Sequence, residues 1–233
     1  VRMLDSLRSL GAIVGEEEHP QLTPAGEALV CDNGIDLARL KAQRRPLCRA
    51  CLAAPPPVTR AAAVARYEGV ARRLVHAFKF RGHDILAAPA AALMAAEARA
   101  CALDDGLDAV VPVPSTPRRN RERGYDPAVL LAAETARRLG RPCRPLLSRT
   151  RESAPQSSFP AGERRRNVRG AFAASPRARS LRLLLVDDVM TTGATAFEAA
   201  LALRAAGAAD VALLVLARTP EALSAHPAPP ENA

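Results

Sequence analysis

Leu181-Arg182-Leu183-Leu184-Leu185-Val186-Asp187-Asp188-Val189-Met190-Thr191-Thr192-Gly193-Ala194-Thr195 is the stretch on which the reading of this chain turns. An apolar run of strand length, 181–186, ends on two adjacent carboxylates. A short loop of threonine and glycine follows, and Phe197, Leu201 and Leu203 then recur at helical spacing up to Gly207. A strand, a tight turn and a helix N-terminus in so few residues is the layout of a ligand site at the carboxyl end of a parallel strand. Free backbone N–H groups and the positive end of the helix dipole meet there and suit a phosphate. Thr191, Thr192 and Thr195 add hydroxyl donors, and Gly193 lets the backbone come close to a ligand. Carboxylates beside an anion site repel a bare phosphate. Asp187 and Asp188 are therefore expected to face another part of the same ligand, such as sugar hydroxyls or a metal. A plain strand-to-helix turn capped by an aspartate is the simpler alternative. A cap needs one such residue, whereas this loop supplies five polar side chains and a glycine.

Working outward, the chain alternates between strand and helix signals from about residue 60. Strands are expected at 62–67, 109–113 and 211–217, helices at 70–80, 84–101, 127–139 and 195–206, and a brief strand at 145–147. Gly140 is the stop of the helix 127–139. Alternation of this kind argues an α/β fold, a parallel sheet covered by helices on both faces. Residues 148–180 show no periodic element. They hold Arg149, Arg151, Gln156, Arg164, Arg165, Arg166, Asn167 and Arg169, which suits a basic flap closing over an anionic ligand.

Charge is unevenly spread. The chain of 233 residues carries 33 Lys and Arg against 24 Asp and Glu, net +9. Residues 115–170 hold fourteen Arg and five acids, and so account for the whole excess. An anion-binding face for diphosphate, nucleic-acid backbone or both is the expected use. Aromatic residues are 3% of the chain, which leaves little equipment for stacking bases. No apolar run approaches membrane-spanning length and the start shows no signal-peptide core, so membrane insertion is not expected and a cytoplasmic setting is. Five cysteines, an odd number, do not suggest a disulfide framework.

A second strand end, Val110-Val111-Pro112-Val113-Pro114, leads into Arg118, Arg119, Arg121, Arg123, Gly124 and Tyr125. Prolines stop the strand and stiffen its exit, and arginines just beyond can fork onto phosphate oxygens. A basic surface loop is the alternative at this point.

The 187–195 loop resembles the phosphoribosyl-diphosphate (PRPP) loop of type I phosphoribosyltransferases: a hydrophobic strand, two acidic residues and a small-residue loop ending T-T-G-x-T. That resemblance implies that Asp187 and Asp188 contact the ribose 2′ and 3′ hydroxyls and form the catalytic pair. It likewise implies that Thr191, Thr192, Gly193, Ala194 and Thr195 wrap the 5′-phosphate, with Mg²⁺ arriving alongside PRPP. Four segments narrow it further. Lys79-Phe80-Arg81-Gly82, Val111-Pro112-Val113-Pro114 with Arg123-Gly124-Tyr125-Asp126, Gln156 with Arg166-Asn167-Val168, and the 187–195 loop follow the order seen in the ComF family. The resemblance covers roughly residues 60–218 and implies a type I phosphoribosyltransferase-like domain tied to DNA uptake. By position, Lys79, Arg119, Arg123, Tyr125 and Arg166 become candidates for the diphosphate and flap side.

Residues 1–54 form a small appendage. Members of the family usually begin with a four-cysteine zinc module, but here Cys48 and Cys51 have only Cys31 upstream. His19 as a fourth ligand gives an unfamiliar spacing, so zinc is not expected. Residues 1–52 instead resemble the C-terminal part of an ArsR-type winged-helix regulator without its reading helix, which argues against a transcription factor. Residues 219–233, rich in Pro and Ala, read as a disordered tail. Two functions follow from the resemblance: a PRPP-using phosphoribosyltransferase, or a non-catalytic protein regulated by PRPP that binds single-stranded DNA or a DNA-uptake helicase.

Overall fold

A computed structural model of the chain describes residues 56–80, 84–150 and 168–219. Six strands and five α-helices are described among them: β1 (Arg60–Arg66), α1 (Gly69–Phe80), α2 (Ala87–Ala100), β2 (Ala109–Pro112), α3 (Pro117–Arg123), α4 (Pro127–Leu139), β3 (Leu147–Arg149), β4 (Phe172–Ala174), β5 (Arg182–Met190), α5 (Ala194–Ala205) and β6 (Asp210–Arg218). The four long strands form one parallel sheet in the order β1-β6-β5-β2. The expected α/β architecture is what the chain adopts.

Strand alternation builds two cores. Leu184 and Val186 of β5, with Val110, Ala212 and Leu214, pack under α1, α2 and α4, where Phe78, Met94 and Leu131 are fully buried. Leu183 and Leu185, with Val111, Leu213 and Val215, face α5 through Ala196, Ala199, Ala200 and Leu203. Along 183–186 each side chain thus points to the face opposite its neighbour's, as the two-residue period requires. Strands buried on both faces read as near-continuous apolar runs, as 183–186 and 211–217 do.

The helices leave the sheet in a way that locates a crevice. From β2 the chain passes through α3 to α4 on one face, while from the adjacent β5 it enters α5 on the other. Neighbouring parallel strands whose connections depart to opposite faces open a cleft at their carboxyl ends, where α/β proteins place ligands.

Several elements differ from the sequence expectation, each for a physical reason. β5 runs on past residue 186 to Met190, because β6 is long enough to pair with it up to Met190–Arg218. The helix expected at 84–101 opens with a 3-10 turn, Asp84–Leu86, before α2 begins at Ala87. α3 was not expected, since its sequence has no apolar periodicity. Within 148–180, β3 and β4 pair antiparallel, Leu147 opposite Ala174 and Arg149 opposite Phe172. The described arginines of 115–170 do not share a single face. α4 starts beside the cleft at Asp126 and ends far from it, so Arg137 and Arg138 lie at its remote end, bound to Glu134 and to the Ala88 carbonyl. Gly140 ends α4 at φ +67°, as its position suggested. The winged-helix and zinc readings of residues 1–54, including Cys31, Cys48 and Cys51, lie outside the described residues. So does the tail beyond Thr219.

Candidate functional site

At the carboxyl end of β5, strand geometry separates the two aspartates. Asp188 points toward α1, where Lys79 Nζ lies 2.8 Å from its Oδ1. Lys79 sits in the last turn of α1, where the helix dipole favours a cation. Asp187 points the other way and lines a small open pocket with Val189, Met190, Thr191, Gly193, Ala194, Thr195 and Ala196. Its Oδ1 accepts the Asp188 backbone N–H at 2.8 Å.

Desolvation dominates the electrostatics of this pair. Burial, followed by the charge of Asp188, pushes the Asp187 carboxyl up to about 8, with Lys79 acting against the rise. The neighbouring Asp188 adds its charge to the rise, and Lys79, paired with Asp188 at 2.8 Å, offsets only part of it.

The loop turns at Gly193, whose φ of +74° falls in the left-handed region, and α5 begins at Ala194. A Cβ on Gly193 would sit 2.9 Å from Phe197 Cε2. The Thr192 hydroxyl accepts from the Ala194 N–H at 3.4 Å, and no side chain caps α5 at Gly193 itself. The first turn of α5 therefore presents N–H groups to the pocket, the arrangement that binds phosphate oxygens.

Opposite this loop, across the β2–β5 cleft, stands α3. Thr116 caps it, its Oγ1 accepting from the Arg119 N–H at 3.4 Å. On α3, Arg119 and Arg123 are half-buried, whereas Arg118, Arg121 and Glu122 are exposed. The i,i+4 spacing puts the first two on one face. Arg118 spends its charge on Glu122 at 2.8 Å, which holds the Glu122 carboxyl below its usual range. The Tyr125 hydroxyl donates to the Phe78 carbonyl, and the two rings lie 5.7 Å apart. That contact joins the segment after α3 to the end of α1 that carries Lys79. Burial, then the charge of Asp84, pushes the Tyr125 phenol up.

Arg149, which sequence reasoning left among the flap arginines, reaches the same cleft. Residues 142–144 bridge Val110 of β2 in parallel, and the chain runs on from there to β3, which ends at Arg149 within electrostatic reach of Asp187 and Arg119. Its guanidinium lies 5.2 Å from the centre of the Phe172 ring. Burial and the nearby charge of Arg119 disfavour its charged form, and Asp187 and Asp126 support it. The one sequence signal for it was its place just past a short strand-like run. The structure thus gathers Lys79, Arg119, Tyr125, Arg149, Asp187, Asp188 and the 191–195 loop around one cleft, with Arg123 on the inward face of α3. Arg166 lies outside the described residues. Cys101 is buried in the core and donates to Glu97 at 3.4 Å, and burial pushes the thiol of half-buried Cys143 up.

The chain is therefore a parallel α/β protein with an acidic strand end and a helix N-terminus facing a basic wall across a switch-point cleft. A scan against protein-family profiles finds no match. Individual relatives are clear. DNA utilization protein YhgH of Salmonella typhimurium is 36% identical over 178 residues, 74% of this chain and 78% of that protein. Its Escherichia coli K12 counterpart is 34% identical over the same shares. Competence protein F of Haemophilus influenzae is 29% identical over 178 residues, 73% of this chain and 78% of that protein. This chain belongs to the YhgH/ComF family of DNA utilization and competence proteins. Among solved structures, a Bacillus subtilis glutamine PRPP amidotransferase complexed with ADP and GMP covers 60% of this chain and 30% of its own at TM-score 0.40 and 18% identity, an overlap too loose to argue from. No described helix is long and apolar enough to cross a membrane.

Proposed function

We propose that the cleft binds PRPP with Mg²⁺ and that the protein acts as a phosphoribosyltransferase of unassigned acceptor. One observation carries this reading: a half-buried carboxylate, Asp187, shares a pocket with Thr191, Gly193 and Thr195 at the start of α5. A ligand with phosphate at one end and vicinal hydroxyls beside it meets both halves of that pocket. The 5′-phosphate takes the N–H groups and hydroxyls of 191–195. The ribose hydroxyls donate to Asp187, with Asp188 and Lys79 as the adjoining wall. The diphosphate faces Arg119, Arg123 and Arg149, whose planar forks suit phosphate oxygens.

The residues fit an ion that travels with the ligand. Among the described residues no group of three or more His, Cys, Asp and Glu is clustered for a metal. Asp187, in the pocket, is the carboxylate that would hold a Mg²⁺ ion there, an ion whose preference for phosphate oxygens and water supplies the rest of its shell. When bound it supplies charge neutralisation to the departing diphosphate. The protein's own contribution is electrostatic positioning: carboxylate charge near the ribose ring, from Asp188 and from Asp187 once its proton has left, as positive character grows at C1, and guanidinium charge where the leaving group gains negative charge.

A second reading follows from the names of the relatives. In it PRPP is a regulator, and exposed arginines such as Arg118 and Arg121 hold single-stranded DNA or a helicase partner. Labelled PRPP separates the two. Release of diphosphate that depends on one member of a panel of bases and amines supports the transferase. Saturable PRPP binding with no turnover on any acceptor supports the regulated binding protein, and no binding rejects both.

A further inference from the structure

We infer that Asp126 is the positioning residue that holds α3, and with it Arg119 and Arg123, against the cleft. α3 has seven residues, Pro-Arg-Arg-Asn-Arg-Glu-Arg, and none of them is buried. A helix so short does not persist in water by itself. Its four arginines repel one another, and it has no apolar face to dock. Something outside it must fix its place.

Asp126 supplies that anchor. A helix N-cap needs one acceptor bond, and Asp126 makes it: Oδ1 accepts the Ala128 N–H of α4 at 3.1 Å. The same carboxylate accepts three further hydrogen bonds that capping does not require. Oδ2 takes the Ser115 N–H at 2.8 Å and the Asn120 Nδ2 at 3.2 Å, and Oδ1 takes the Ser115 hydroxyl at 3.3 Å. Ser115 precedes α3 and Asn120 lies in its middle, one residue from Arg119. A single carboxylate thus ties the entry of α3, its centre and the start of α4 together. An amide cannot replace it. In either orientation an Asn at 126 sets an NH₂ against a backbone N–H, of Ser115 or of Ala128.

This inference rests on the reading of the cleft as a site for a phosphorylated ribose, and the test keeps the two apart. Asp126→Asn is made in the full chain, and amide hydrogen exchange is followed at Asn120 and Gly124, whose N–H groups bond to the Thr116 and Asn120 carbonyls. Exchange there is expected to quicken at least about tenfold while amides shared by β5 and β6 keep their protection. Inorganic diphosphate and ribose 5-phosphate are then titrated separately. Diphosphate affinity should fall about tenfold, the loss of roughly one charge-assisted contact. Ribose 5-phosphate, held by the 191–195 loop, should stay within about twofold. Asn120→Ala, which removes one of the four bonds and leaves the cap, should shift exchange and diphosphate affinity the same way by less, and it carries the test should Asp126→Asn not fold. Unchanged exchange at Asn120 and Gly124, or equal weakening of both ligands, overturns the inference. Wild-type protein that binds neither ligand overturns the ribose-phosphate reading, and the exchange result still decides the role of Asp126.

Discussion

Replacing Gly193 with alanine puts a side chain where φ is +74° and sets its Cβ 2.9 Å from Phe197 Cε2 and 3.1 Å from Cζ. Two costs follow, and they can be separated. Left-handed backbone costs a residue with a Cβ roughly 1–2 kcal/mol. The contact with Phe197 is with the far edge of a half-buried ring, which can rotate away at about 1 kcal/mol of rotamer strain. Together they predict about 2–3 kcal/mol of destabilisation in urea unfolding followed by circular dichroism, with no change in slope. Adding Phe197→Ala should recover the ring part alone, so the double variant stays about 1–2 kcal/mol below the Phe197→Ala protein. PRPP affinity should fall in parallel, because the first N–H groups of α5 are aimed by this turn. Gly193→Ala within about 0.5 kcal/mol of the parent would refute the reasoning, since that is the range of an inconsequential surface change.

Other consequences are open to measurement. Lys79→Met leaves Asp188 without its 2.8 Å partner and should cost about 1–3 kcal/mol, most of it returned by adding Asp188→Asn; a double variant no better than the single would show the pair is unimportant. Because the folded state holds a proton on Asp187 up to about pH 8, whereas the unfolded chain releases it near pH 4, stability should decline as pH rises between those values. Asp187→Asn should flatten that decline, and an unaltered stability–pH curve would contradict it. Tyr125→Phe removes the bond to the Phe78 carbonyl and should cost about 1 kcal/mol, with faster exchange at α3 but not at β6; equal exchange at both would place its effect elsewhere. On the DNA-binding reading, a labelled single-stranded 30-mer should bind weakly, with affinity falling steeply as salt rises. No anisotropy change at low salt would remove that reading.

The β5–α5 unit could be read from sequence because everything that defines it is local: an apolar run, a glycine turn and a helical repeat. Other parts depended on partners distant in the chain. The length of β5 is set by β6, and that extra length makes Asp187 and Asp188 diverge, one to the pocket and one to Lys79. α3 carried no periodic signal because its helix comes from Thr116 at one end, Gly124 at the other and Asp126 from outside. Arg149 looked like one arginine among many until the pairing of residue 143 with β2 brought it to the cleft. The charge excess predicted an anion-binding face, but α4 carries part of it to its remote end, a division that only the direction of a helix decides.

Isothermal titration of the full chain with PRPP in the presence of Mg²⁺, alongside Asp187→Asn and Thr191→Val, both at residues that line the pocket, tests the central assignment most directly. The account predicts one saturable site in the parent protein. It also predicts affinity reduced about tenfold or more in each variant, since each removes a group aimed at a different half of the ligand. No heat of binding in the parent, or affinity unchanged in both variants, would contradict it.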